Sequence, residues 1–125
     1  MKTYSFEKLN VWQRGKDLCV EIYKITKSFP SEEKYGLTSQ LRRASVSVCS
    51  NLAEGTSRKS YKEKARFTEI AFGSLMEVLA QLMIANELGL LDAKDLERLR
   101  ETVEEIGNKL NKLRISQLNS SRINT

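Results

Sequence analysis

At 125 residues, with 40% hydrophobic and 30% charged side chains, the chain fits a single domain, too apolar for disorder and too charged for a membrane protein. Its formal charge of +5 suits a nucleic-acid partner without requiring one, whereas the lack of any histidine removes the commonest general base and the commonest transition-metal ligand together. No apolar run approaches the ~20 residues of a membrane helix, and Met1-Lys2-Thr3-Tyr4-Ser5-Phe6-Glu7 has neither the apolar core nor the cleavage site of a secretory signal, so the cytoplasm is the expected compartment.

The punctuation predicts four helices, over about 10–28, 31–54, 60–88 and 92–115, in one domain with a loose tail over 116–125. Asn10, with Gln13 three residues on, reads as the cap of the first helix. On it Val11, Trp12, Leu18, Cys19, Ile22, Tyr23, Ile25 and Phe29 share an apolar face opposite Arg14, Asp17, Glu21 and Lys24. Ser31 reads as the cap of the second helix, with Glu32 and Glu33 in its first turn. Its stripe of Leu37, Leu41, Ala44, Val48 and Leu52 is flanked by small residues that permit close neighbours.

Gly55-Thr56-Ser57 is expected to end the second helix, and Ser60 with Glu63 to open the third. From Phe67 to Leu88 that helix is apolar almost all round. Such a helix must be covered on nearly every side, which points to self-association. Gly89 closes it and Asp92, with Asp95, opens the fourth, whose stripe of Leu96, Leu99, Val103, Ile106, Leu110 and Leu113 is narrow, as on an outer bundle helix. Short connections then imply an all-α, up-down-up-down antiparallel four-helix bundle. Cys19 and Cys49 are too few for a disulfide scaffold and read as buried free thiols in a reducing compartment.

Two features exceed what core-building requires. Gln40, Arg43, Ser47, Asn51 and Glu54 line up beside the apolar stripe of the second helix, and Gly73, Ser74, Glu77 and Gln81 do so on the third. If the two helices pair as a hairpin, Arg43 is expected to meet Glu77. The plainer reading is a polar network that fixes helix register or subunit pairing; a ligand or RNA contact would use similar residues. The second feature is the cluster of Arg58, Lys59, Lys62, Lys64 and Arg66 around Tyr61, opposed only by Glu63. Lysines, arginines and an aromatic at a helix start can bind phosphate and stack a base, while a solvated, solubilising loop has the same composition. No helix-turn-helix, zinc-finger or RNA-recognition signature accompanies it. No nucleophile–base pair and no metal cluster is evident, so neither catalysis nor a cofactor is expected.

Five segments in order, Phe6-Glu7-Lys8-Leu9-Asn10-Val11-Trp12-Gln13, Phe29-Pro30 with Glu33-Lys34-Tyr35-Gly36-Leu37, Gln40-Leu41-Arg42-Arg43-Ala44, Asn51-Leu52-Ala53-Glu54-Gly55 and Gly73-Ser74-Leu75-Met76-Glu77, resemble the bacterial four-helix bundle proteins encoded in intervening sequences of 23S ribosomal RNA genes. The resemblance implies a homopentameric ring, and an architecture related to the accessory protein of diversity-generating retroelements, whose basic surface engages reverse transcriptase and nucleic acid. The expected function is a non-catalytic, homo-oligomeric scaffold associated with nucleic acid or ribonucleoprotein. The alternative is a protein-interaction or structural ring without nucleic-acid binding.

Overall fold

Side-chain chemistry within a few residues of each helix end fixes where the helices of this chain start and stop. The computed structural model describes residues 1–123. It contains α1 (Asn10–Thr26), α2 (Leu37–Thr56), α3 (Tyr61–Glu87) and α4 (Ala93–Ile123), with 3-10 turns at Ser5–Lys8 and Ser31–Glu33 and no strand among the described residues.

Asn10 is the first residue of α1, not its cap. The residue before the helix is Leu9, in an extended conformation without a capping side chain. Gln13 instead donates its Nε2 to the carbonyl of Glu7 at 2.8 Å, while Phe6 meets the Trp12 ring edge-on at 4.8 Å. The preceding turn and this aromatic pair therefore fix the entry.

The second helix begins six residues later than the spacing predicts. Ser31–Glu33 forms only a 3-10 turn, because the acid that satisfies the helix start is Glu33, whose Oε1 accepts from the Leu37 amide at 3.1 Å. Gly55 does not end α2; it lies inside the last turn, where a β-carbon would come within 2.9 Å of Phe67 Cβ on α3. Its lack of a side chain lets the two helices close at that point.

Ser60 caps α3 as expected, accepting from the Glu63 amide at 3.1 Å. At the other end Gly89 has φ of 76°, and the Leu90 and Gly89 amides donate back to Ala85 and Asn86 at 2.9 and 3.0 Å, a Schellman closure. Asp92 caps α4 through the Asp95 amide at 2.7 Å. The predicted tail over 116–125 is helical through Ile123; Asn124 and Thr125 lie outside the described residues. Thr68 donates to Gln117 at 2.7 Å and Arg114 pairs with Glu69 at 3.3 Å, so the last turns of α4 are pinned to the start of α3.

The core is the sum of the four stripes, with Leu18, Ile22, Leu41, Leu75, Leu82, Leu99, Ile106 and Leu110 each under 2% exposed. α3 contacts both α2 and α4, and its apolar circumference is covered on those sides only. Ile70, Met76, Met83, Ile84 and Leu88 remain exposed. By length and composition alone α3 could cross a membrane, with a mean hydropathy of 1.4 over an 18-residue window, although Gly73, Ser74, Glu77 and Gln81 interrupt its apolar run.

α1 and α4 are joined by charge. Glu105 takes a bidentate pair from Arg14, at 2.9 and 3.1 Å, and a bond from Lys109 at 2.7 Å; Arg98 pairs with Glu21. The Arg14 hydrogen bond first, then that of Lys109, holds the Glu105 carboxyl down from 4.5 to about 2. A folded-state value below the unfolded one means stability present above the ordinary carboxylate range and lost as pH falls toward 2.

Gly55→Ala is expected to cost about 1–3 kcal/mol by overpacking against Phe67. Gly73→Ala, whose added β-carbon meets nothing within 4 Å, should instead gain about 0.5–1 kcal/mol of helix propensity. Urea midpoints for the pair check the sign of each. Glu105→Gln should cost about 0.5–1 kcal/mol at neutral pH, given its partial exposure, and the difference from wild type should fade as titrations are repeated from about pH 5 down to 2.

Candidate functional site

α2 and α3 approach closely because the residues between them are small. Ser47 and Ser74 share a hydrogen bond of 2.8 Å, and Asn51 donates its Nδ2 to the Ser47 carbonyl and hydroxyl at 2.9 and 3.0 Å. One turn along, the helices leave a groove of about 340 Å³ lined by Gln40, Arg43, Ser47, Ser74, Glu77 and Gln81. Gln81 donates to Gln40 at 3.4 Å, while its own Oε1 is buried with no hydrogen-bond partner among the described residues.

The structure thus brings together most of the polar stripe, with two departures from expectation. Arg43 and Glu77 share the groove but form no ion pair with each other among the described residues. Both are exposed, so water solvates each charge and little is gained by closing the gap. Glu54 leaves the stripe altogether and pairs with Arg58, one helical turn on, at 3.2 Å. Of the polar residues that line it only Ser74 is buried, at 7% exposure, so the groove is a half-wet seam and not a buried network.

The basic cluster is largely committed to the fold. Arg58 pairs with Glu54 and lies 4.7 Å above the Phe67 ring; Arg66 pairs with Glu63 at 3.5 Å and lies 5.7 Å from the same ring. Two guanidiniums thereby cover an aromatic at 8% exposure. Lys64 donates its Nζ to the Thr56 carbonyl at 3.0 Å and so satisfies the end of α2. Lys59, Lys62 and Tyr61 remain exposed, and neither lysine has an ion pair among the described residues.

A second cationic surface, between α1 and α2, escaped the sequence reading. Tyr23, placed there on the buried face of α1, is 40% exposed, and the Arg42 guanidinium lies over its ring at 4.7 Å. The available signal was the doublet Arg42-Arg43: neighbours on a helix point about 100° apart, so one arginine had to face α1. Cys19 and Cys49 lie at the same seam as half-buried free thiols. Burial first, and then Cys19 beside it, pushes the Cys49 thiol up to about 12, leaving it protonated and a poor nucleophile. Among the described residues no group of three or more His, Cys, Asp or Glu is placed to hold a metal ion.

Glu77→Ala is expected to change stability by no more than about 0.5 kcal/mol, as for an exposed, unpaired side chain. Ser74→Ala, which removes the bond to Ser47, should cost about 1 kcal/mol. Urea titrations of the two variants separate a wet seam from a buried network.

Comparison with known proteins follows this geometry. A crystal structure of a protein with unknown function from the S23 ribosomal protein family of Bacteroides thetaiotaomicron is similar, with a TM-score of 0.58 and 18% identity over 89% of this chain and 97% of that one. At that identity the likeness speaks for the fold alone. Among curated proteins none matches the chain. The 23S rRNA-intervening sequence protein family matches residues 7–112, which takes in α1, α2, α3 and most of α4, and the chain belongs to that family.

Proposed function

We propose that this protein is a non-catalytic scaffold that assembles with copies of itself into a ring and associates with nucleic acid or ribonucleoprotein in the cytoplasm. The observation that carries assembly is the uncovered side of α3. Ile70, Gly73, Glu77, Ala80 and Ile84 recur at three- and four-residue spacing, and all five are exposed. Ile70 and Ile84, with Met76 and Met83 alongside, form an apolar row interrupted by Glu77, on which another helix can pack. Each protomer is an up-down-up-down antiparallel bundle, supported by facing pairs such as Gln40 with Gln81 and Glu21 with Arg98. The number five comes from the family resemblance.

Nucleic-acid association draws on the charge of +5 and on the family's connection with 23S rRNA. A non-catalytic role draws on the absence of histidine and on the protonated state of the Cys49 thiol. One observation favours the second reading, a protein-interaction ring without nucleic acid: Arg58, Lys64 and Arg66 are engaged within the chain.

Light scattering of the purified protein, with and without a mixed RNA and DNA pool at low and high salt, tests both parts. Wild type is expected at several times the chain mass, and Ile70→Lys with Ile84→Lys at the mass of one chain. Uptake of nucleic acid at low salt supports the scaffold reading. A wild-type monomer would overturn assembly, and a ring that ignores nucleic acid at low salt would leave the protein-interaction ring.

A further inference from the structure

The arginines from Arg14 to Arg114 divide sharply by partner. Arg14, Arg58, Arg66, Arg98, Arg100 and Arg114 each pair with a carboxylate. Arg42 and Arg43 pair with none among the described residues, and both line one groove, of about 570 Å³, between α1 and α2. Tyr23, Ser39, Val46 and Ser50 are among the other residues that line it, and no carboxylate does. The volume is within the range of small-ligand sites.

Arg42 is held in place. Its Nε donates to Thr26 Oγ1 at 2.9 Å, and its Nη2 reaches the Tyr23 carbonyl at 3.4 Å. Thr26, 3% exposed, donates in turn to the Ile22 carbonyl at 2.7 Å. The guanidinium plane is thereby fixed over the Tyr23 ring with Nη1 uncommitted. Arg43 stands on the ridge between this groove and the polar groove of α2 and α3, and lines both. Along α1, Lys16, Val20, Tyr23 and Lys27 recur at three- and four-residue spacing and all are exposed, so two lysines extend the cationic track past either side of Tyr23.

We propose that the α1–α2 groove binds single-stranded nucleic acid, Arg42 and Arg43 holding a backbone phosphodiester and the exposed part of the Tyr23 ring stacking a base. Two arginines without carboxylate partners are an anion site: Arg43 can meet a phosphate with paired hydrogen bonds, and Arg42 can add its uncommitted Nη1. The partly exposed Tyr23 ring under the Arg42 guanidinium offers an aromatic surface to a flat base, which the carboxylate side chains of an acidic peptide would not use. The faces of duplex bases are already stacked on each other, so a single strand is the form that can use Tyr23. The inference rests on the nucleic-acid part of the function proposed above and moves its centre from the Arg58–Arg66 corner to the opposite end of α2.

The test is fluorescence anisotropy on the full chain with a labelled oligouridine of about 12 nucleotides, longer than many single-strand sites, a duplex of equal length, and poly-glutamate, at about 50 and 200 mM salt. Wild type should prefer the single strand. Arg43→Gln, an exposed change that circular dichroism can show to be folded, should flatten the logarithmic salt slope by about 0.7. Tyr23→Leu should weaken single-strand binding about tenfold and leave duplex binding unchanged, and Lys94→Gln on α4 should alter neither. Binding that is lost in Lys59→Gln with Lys62→Gln, yet intact in Arg43→Gln and Tyr23→Leu, would overturn this site while keeping the nucleic-acid reading. A preference for poly-glutamate would overturn the ligand class, and no nucleic-acid binding by wild type at low salt would overturn both.

Discussion

Ser47 and Ser74 meet at 2.8 Å, and Gly55 leaves no room for a β-carbon beside Phe67. The close approach of α2 to α3 along this line is the constraint on which the other surfaces depend. Small residues permit it, and it has consequences at both ends. Near the turn it carries Phe67 under Arg58 and Arg66, so that these arginines act as a lid on the core before they act as a charge on the surface. Further along, the long polar side chains of Gln40, Arg43 and Glu77 line the open edge of so narrow a seam, and Gln81 reaches in with its Oε1 buried. The polar stripe is therefore what remains outside once the small residues have gone inside.

Charge is partitioned around α1 in a way that composition conceals. On the α4 side Arg14, Glu21, Arg98, Glu105 and Lys109 neutralise one another, and the pairing of Arg14 and Lys109 with Glu105 is what holds that carboxyl ionised far into acid. On the α2 side Lys16, Lys27, Arg42 and Arg43 have no acidic partner among the described residues. A net charge of +5 is modest when spread over a surface and substantial when concentrated along one seam. Ion pairs that are individually worth little still decide where the field points, because they remove one side of the molecule from contention.

Signals confined to three or four residues were readable in the sequence. Ser60 and Asp92 cap their helices through the amide three positions on, and Gly89 closes α3 with the positive φ that favours glycine. Signals that needed a third partner were not. Ser31 looks like a cap, but the Leu37 amide is taken by Glu33; two capping solutions compete within seven residues, and propensity does not rank them. The residues after Ile115 look like a polar tail, yet Gln117 is held by Thr68 from 49 residues away. The basic corner was readable in part: Glu54 and Glu63 stand one turn from Arg58 and Arg66, the spacing at which helical charges pair. Which of Arg42 and Arg43 would turn toward Tyr23 depended on the side from which α1 packs against α2, a long-range contact.

Burial, pairing and exposure together divide the work between helices. α4 and the adjoining side of α1 are spent on closing the bundle, with apolar residues inside and matched charges outside. α3 keeps an apolar row that its own neighbours do not cover, and the α1–α2 seam keeps cations that its own carboxylates do not neutralise. These surfaces lie on either side of Arg43, which reaches the edge of both grooves. The α3 row and Tyr23 lie on different helices, so the assembly and the binding proposed above draw on separate residues. A ring of such subunits repeats the seam at fixed spacing. On the binding proposed above, a single strand held at one copy would find the next at high effective concentration, so that weak single contacts would add up to firmer collective binding.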